Sequence, residues 1–173
     1  MYSHDGLLDS LTQLAAPALF YKELRRELAR ADRENRSICL IRFLLAAPDP
    51  ISTDPISTGP ISTGPISLET NSYSGYEEEI LNFAHVLTRL SRGEDVCARM
   101  GVLEFVCILH GAGNPAQSFI SRISASWLED LKRREGRAKA NSLYVNVSSL
   151  ISHPRESALQ LLDRLDAEPS NRV

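Results

Sequence analysis

Residues 76–109 read YEEEILNFAHVLTRLSRGEDVCARMGVLEFVCIL, a helix-period stretch that runs without a break into two short apolar segments. Ile80, Phe83, Ala84, Leu87 and Leu90 recur on one helical face, and Glu77, Glu78 and Glu79 place negative charge where a helix N-terminus favours it. The spacing predicts an amphipathic helix over 76–91. Beyond it, Val96 to Leu109 predicts two strands folded back around Met100–Gly101, with Phe105, Val106, Ile108 and Leu109 supplying core.

Working outward, Leu19, Phe20, Leu24, Leu28 and Ala31 mark a helix over Ala16–Arg33, with Pro17 suited to its first turn. The run SICLIRFLL, Ser37–Leu45, is short and apolar, as a strand covered on both faces should be. On the far side, Pro115–Arg134 predicts a helix, Ser142–Ile151 a strand and Glu156–Asp166 a last helix. The expected order is βααββαβα. It implies an α/β (α+β) sandwich with a mixed central sheet flanked by helices, in which the hairpin is antiparallel and strands joined through a helix run parallel.

Between the first strand and the 76–91 helix one pentapeptide recurs: PISTD from Pro50, PISTG from Pro55 and Pro60, and the partial copy PISLE from Pro65. Proline at every fifth residue opposes both helix and sheet ladder, so 48–72 is expected to be an inserted low-complexity loop at the surface. Apart from it, the 173 residues, 43% hydrophobic and 24% charged, suit one domain over 1–173. A formal net charge of −3 argues against a nucleic-acid binder, which needs clustered Lys and Arg.

Cys39, Cys97 and Cys107 sit in apolar runs, odd in number and without metal-ligand spacing, and so are expected as buried thiols in a reducing cytoplasm. The chain begins MYSHDGLLDS with no basic segment leading into an apolar one, and no run is long enough to span a membrane. His4, His85, His110 and His153 are scattered, which assigns them surface or packing roles. No GxSxG elbow is present, and Trp127, in register with Ile123 and Leu131, is expected in a core or an interface.

Several motifs, taken in order, resemble the GGDEF family of diguanylate cyclases. Asp9-Ser10-Leu11-Thr12-Gln13-Leu14 followed by Leu19-Phe20 is similar to the family's DxLTxLxNRRxF opening. Ala84, Leu87, Arg92 and Asp95 match the pattern of its second helix and exit at every spacing. Gly101-Val102-Leu103-Glu104-Phe105 then stands where the GGDEF turn should stand, Leu143–Ser148 resembles the TVSxG strand, and Leu161-Leu162 to Asp166 resembles the LLxxAD helix. The likeness covers about Asp9 to Asp166 and implies the nucleotidyl-cyclase fold.

The departures bear on function. In the family, two metal ions rest on carboxylates at the end of the first strand and at the third position of the turn, where they activate the attacking hydroxyl of GTP. Here the strand ends Phe43-Leu44-Leu45 and the third position is Leu103. Hard cations require oxygen ligands, so the resemblance implies a degenerate signature turn over Gly101, Val102, Leu103, Glu104 and Phe105, with no catalytic residue, metal or cofactor. The guanine-reading FKxxND and GHxxGD stretches fall on the PIST repeats and on Tyr76-Glu77, and of the phosphate-clamping tail only Arg172 is left.

What survives is Arg92-Gly93-Glu94-Asp95, which matches the family's RxxD inhibitory site, and Arg122, which resembles a second arginine that some members add to it. An arginine fork can hold a guanine edge or a phosphate, and a carboxylate can accept from guanine N–H groups. The structural alternative is that Arg92 and Asp95 only tie off the helix end. The expected function is a catalytically inactive signalling or interaction module binding cyclic-di-GMP at Arg92, Asp95 and Arg122. Its expected protein partner belongs to a bacterial signalling or envelope-assembly pathway. Two alternatives stand beside it: a residual cyclase using Glu104 with one of Glu77 to Glu79, and a structural homodimerisation domain.

Overall fold

The computed structural model describes residues 6–46, 76–111, 115–134 and 143–172. The expected 48–72 repeat loop lies outside them. Among the described residues nine elements follow one another: α1 (Pro17–Arg33), β1 (Cys39–Ala46), α2 (Glu77–Leu90), β2 (Val96–Arg99), β3 (Glu104–Leu109), α3 (Pro115–Arg134), β4 (Tyr144–Ile151), α4 (Ala158–Ala167) and β5 (Asn171–Arg172). The helix expected over Ala16–Arg33 precedes the first strand, and a short β5 follows the last helix. This corrects the order βααββαβα to αβαββαβαβ and leaves the sandwich itself as expected.

Local chemistry accounts for the element ends. Pro17 occupies the first turn of α1, where its missing N–H is not needed, and Arg30 and Arg33 face the negative end of the helix. Three glutamates open α2. Ser157 and Gln160 form a reciprocal capping box at the start of α4, each side chain taking an orphan backbone N–H. Regular pairing in β1 begins at Cys39, two residues later than the apolar run predicts. The Ile38 N–H is taken by Ser152 Oγ at 3.0 Å and the Ile38 carbonyl accepts from Ser152 N.

The sheet order is β2-β3-β1-β4-β5 and every paired neighbour is antiparallel. β1 and β2, and likewise β3 and β4, are joined through a helix and share a direction, as the helical crossovers predict, but neither pair is adjacent; β4 and β5, joined through α4, are adjacent and antiparallel, which corrects the expectation there. β1 lies between β3 and β4, and β3 lies between β1 and β2, so the α2 and α3 crossovers each pass over an intervening strand of opposite sense. This is the split βαβ arrangement. It explains why connectivity alone implies a parallel pairing that none of the five strands makes with another.

Two cores lie on opposite faces of the sheet. On one, Cys39, Ile41, Phe43 and Leu45 of β1 meet Ile80, Phe83 and Leu87 of α2 and Phe119, Ile123 and Trp127 of α3. On the other, Leu40, Val106 and Ile108 meet Phe20, Leu24 and Leu28 of α1 and Leu161 and Leu165 of α4. β1 is apolar on both faces because both are covered, and its one charge, Arg42, reaches Asp166 of α4 at 2.7 Å. Trp127, 2% exposed and packed edge-on against Phe83, is a core residue as expected.

Candidate functional site

The Gly101–Phe105 turn joins β2 to β3 at the C-terminal end of β1. Met100 N donates to Glu104 O at 2.9 Å, closing the turn, and Leu45 N donates to Leu103 O at 2.9 Å, pinning the turn to the strand end. Glu104 is paired in register with Leu44. The two positions where the resemblance requires carboxylates are therefore neighbours in space, and both carry leucine. Leu45 is buried, Leu44 is exposed, and Leu103 is half-buried against the core. Arg99 holds the turn, its Nη2 and Nε donating to Val102 O at 3.0 and 3.3 Å.

Arg99 also ties the turn to the opening motif. Its Nη1 lies 3.2 Å from Asp9 Oδ2, and Asp9 Oδ1 accepts from the backbone N–H and hydroxyl of Thr12 at 2.8 and 2.7 Å. Burial pushes the Asp9 carboxyl toward protonation. The Thr12 hydrogen bonds and the Arg99 charge outweigh it and leave the group below the ordinary aspartate range. Next to this loop, Ala15 bridges the outer side of β2, with Ala15 N donating to Cys97 O and Arg99 N to Ala15 O. The Asp9–Leu14 motif is thus a built clamp on the β2 edge.

The alternative carboxylates are separated in kind. Glu77 and Glu78 are exposed, whereas Glu79 is 7% exposed with its Oε2 lacking a hydrogen bond among the described residues. Among the described residues no three His, Cys, Asp or Glu side chains gather so as to hold a metal ion. Arg172, the last candidate phosphate clamp, stacks over the Tyr144 ring at 4.2 Å.

At the opposite end of the sheet, Arg92–Asp95 forms the turn from α2 into β2. Asp95 Oδ2 accepts Arg92 N at 2.9 Å, Asp95 N donates to Arg92 O at 3.1 Å, and Asp95 Oδ1 accepts His110 N at 3.4 Å. The carboxylate therefore shapes the turn, as the structural alternative anticipates, while the Arg92 side chain stays exposed. A carboxylate offers about four acceptor positions, so two remain for an incoming donor. Arg122 is exposed on α3 with its guanidinium 5.6 Å from the Phe119 ring centre. Arg92 and Asp95 are joined by these bonds.

One pairing has no signal in the sequence. Glu27, facing inward from α1 and 3% exposed, accepts from His110 Nε2 at 2.9 Å and from Arg26 Nη2 at 3.1 Å. Burial alone would raise its proton affinity; the hydrogen bonds and charge of His110 and Arg26 overcome that and hold the carboxyl below its ordinary range. The pair borders a cavity of about 420 Å³ that Arg30, Arg36 and Ser37 also line. Because His110 N is bonded to Asp95, the α1 carboxylate and the Arg92 turn meet through a single residue. The separation of 83 positions between Glu27 and His110 explains why no motif shows it.

No family model and no curated protein sequence matches the chain. Solved structures do. The GGDEF domain of DgcB from Caulobacter crescentus, in complex with c-di-GMP, superposes with a TM-score of 0.68 at 20% identity, over 96% of this chain and 90% of that one. The diguanylate cyclase SiaD from Pseudomonas aeruginosa, in complex with its activator SiaC, gives 0.67 at 20% identity over 93% of this chain and 55% of its own. The FimX GGDEF domain from the same organism gives 0.57 at 18% identity, over 93% and 90%. With the split sheet, the signature-position turn at the end of β1 and these neighbours together, the fold of this chain is that of a GGDEF domain.

Proposed function

We propose that the chain is a catalytically silent GGDEF-fold module of cyclic-di-GMP signalling, acting through contact with a partner protein and reading the dinucleotide at its Arg92 turn. The observation that carries the first part is the Leu45–Leu103 backbone bond. It brings the strand end and the third turn position together, as two-metal chemistry needs, and presents hydrocarbon there. Mg²⁺ keeps an octahedral shell of oxygens and gains nothing from a leucine pair. Incubation with GTP and Mg²⁺ is expected to yield no cyclic-di-GMP by chromatography. Turnover that disappears in Glu104→Ala would establish the residual-cyclase alternative instead.

Binding of the dinucleotide is supported by the exposed Arg92 side chain on a turn already fixed by Asp95. A preformed turn loses little freedom when a phosphate or guanine edge meets the guanidinium. The DgcB neighbour is a complex with c-di-GMP, and SiaD one with an activator protein, so both kinds of partner fit this fold. Titration calorimetry with cyclic-di-GMP is expected to show binding that weakens about tenfold or more in Arg92→Ala, the loss of one charge-assisted fork. Absence of heat, or equal affinity in the variant, removes the ligand and leaves the protein-contact role. Arg122→Ala in the same titration tests whether α3 contributes.

A further inference from the structure

Cys97 of β2 and Cys107 of β3 face one another directly across the hairpin, with their sulfurs 2.9 Å apart. That separation is inside the roughly 3.5–4.0 Å at which non-bonded heavy atoms rest. Directly opposed residues of an antiparallel pair have Cα atoms about 4.5–5.5 Å apart, within the span a disulfide accepts. All three cysteines are free thiols. Cys97 is half-buried, with Ser91 Oγ 3.0 Å from its sulfur, whereas Cys107 is fully buried. Cys39, the third, is 2% exposed and lies against its own strand, with Leu40 O at 4.0 Å.

The geometry points to Cys97 and Cys107 as a peroxide-responsive dithiol, a modification site in which Cys97 is oxidised first and Cys107 resolves it into an intrachain disulfide. The Cys97 thiolate attacks one peroxide oxygen. The O–O bond breaks, the departing oxygen takes up a proton as water or an alcohol, and Cys97 becomes a sulfenic acid. The Cys107 sulfur then attacks the Cys97 sulfur. The S–O bond breaks, an S–S bond forms, and the Cys107 proton leaves with the hydroxyl as water, so two thiols are oxidised and one peroxide reduced.

The order follows from access and acidity. Cys97 is the less buried of the two, half-buried where Cys107 is fully buried. Burial, followed by its hydrogen bond with Cys97 and the charges of Cys97 and Asp95, pushes the Cys107 thiol well above the ordinary cysteine range. Cys107 therefore remains protonated until an electrophilic sulfur forms beside it, when proximity replaces thiolate character as the driving factor. Burial likewise pushes Cys39 up to about 11, which leaves it inert. The crosslink would close a loop around the whole Gly101–Phe105 turn and remove the thiol that Ser91, the residue before Arg92, now touches. In a reducing compartment such a bond is transient and regulatory rather than structural.

Purified full chain treated with a modest excess of hydrogen peroxide, then unfolded and titrated for thiols, is expected to fall from three thiols to one, with full recovery after dithiothreitol. Peptide mapping is expected to show Cys97 joined to Cys107 in a monomer lighter by about two mass units. Cys39→Ser should lose both of its remaining thiols, and Cys97→Ser should keep both of its own. Three thiols surviving, a bond that includes Cys39, or a bond between two chains would overturn the assignment. The wild-type map decides the matter even if a variant fails to fold.

Discussion

Replacing Phe83 with alanine is expected to lower the unfolding free energy by about 3–5 kcal/mol, the range for removing a fully buried aromatic. Phe83 is fully buried on α2, and its ring meets three others: Phe105 at 5.1 Å, Trp127 at 5.3 Å and Phe43 at 5.6 Å. It thus fastens α2 at once to β1, β3 and α3. The loss combines removed apolar contact, a cavity that rigid neighbours cannot close, and three ring pairs worth about 0.5–1.5 kcal/mol each. Against a typical domain stability of about 5–15 kcal/mol, this brings the variant near the edge of folding. Urea unfolding followed by fluorescence and circular dichroism measures it. A drop below about 1 kcal/mol would show that the ring cluster is not the centre of this core.

The second large effect is expected at Glu27. Glu27→Ala strips the acceptor from His110 Nε2 and from the Arg26 fork at a site 3% exposed, and should cost about 3 kcal/mol. Glu27→Gln, which keeps an acceptor oxygen, should recover part of it. Glu27 and Asp9 both titrate below their ordinary ranges in the folded chain, so the unfolded chain binds protons first as the solution becomes acidic. Their contribution is whole above the unfolded values, near pH 4, and is lost as pH falls through the lower folded values. Urea midpoints measured between pH 7 and pH 3 should therefore decline at the acid end. The decline should be shallower in Glu27→Gln. An unchanged acid limb would mean that the carboxylate gains nothing from its partners.

Much of the fold is legible in the order of the residues alone. Regular spacing of Phe20, Leu24 and Leu28 places α1, and the even placement of Ile80, Phe83 and Leu87 places α2 within a residue at either end. The signature-position turn is readable because a hairpin is local: Met100 and Glu104 close it within five residues. Strand adjacency is not, since β1 lies beside β4 across about a hundred residues and no spacing encodes who sits between whom. β5 escapes a linear reading because two exposed residues carry no period. At the candidate site, the positions of Arg92, Asp95 and the leucines are legible, but Asp95's bond to His110 depends on where β3 ends. The Glu27–His110 pair and the Cys97–Cys107 contact arise from packing and register, which a linear pattern does not contain.

The placement of β1 between β3 and β4 has a consequence for a chain still emerging from the ribosome. Once Leu109 is free, the hairpin can fold against one side of β1, through the pairs from Cys39–Leu109 to Leu44–Glu104. The other side has no partner until Tyr144–Ile151 has been synthesised. Throughout that interval a strand that is apolar on both faces presents an unsatisfied ladder to its surroundings, the condition under which nascent chains join one another or are taken up by chaperones.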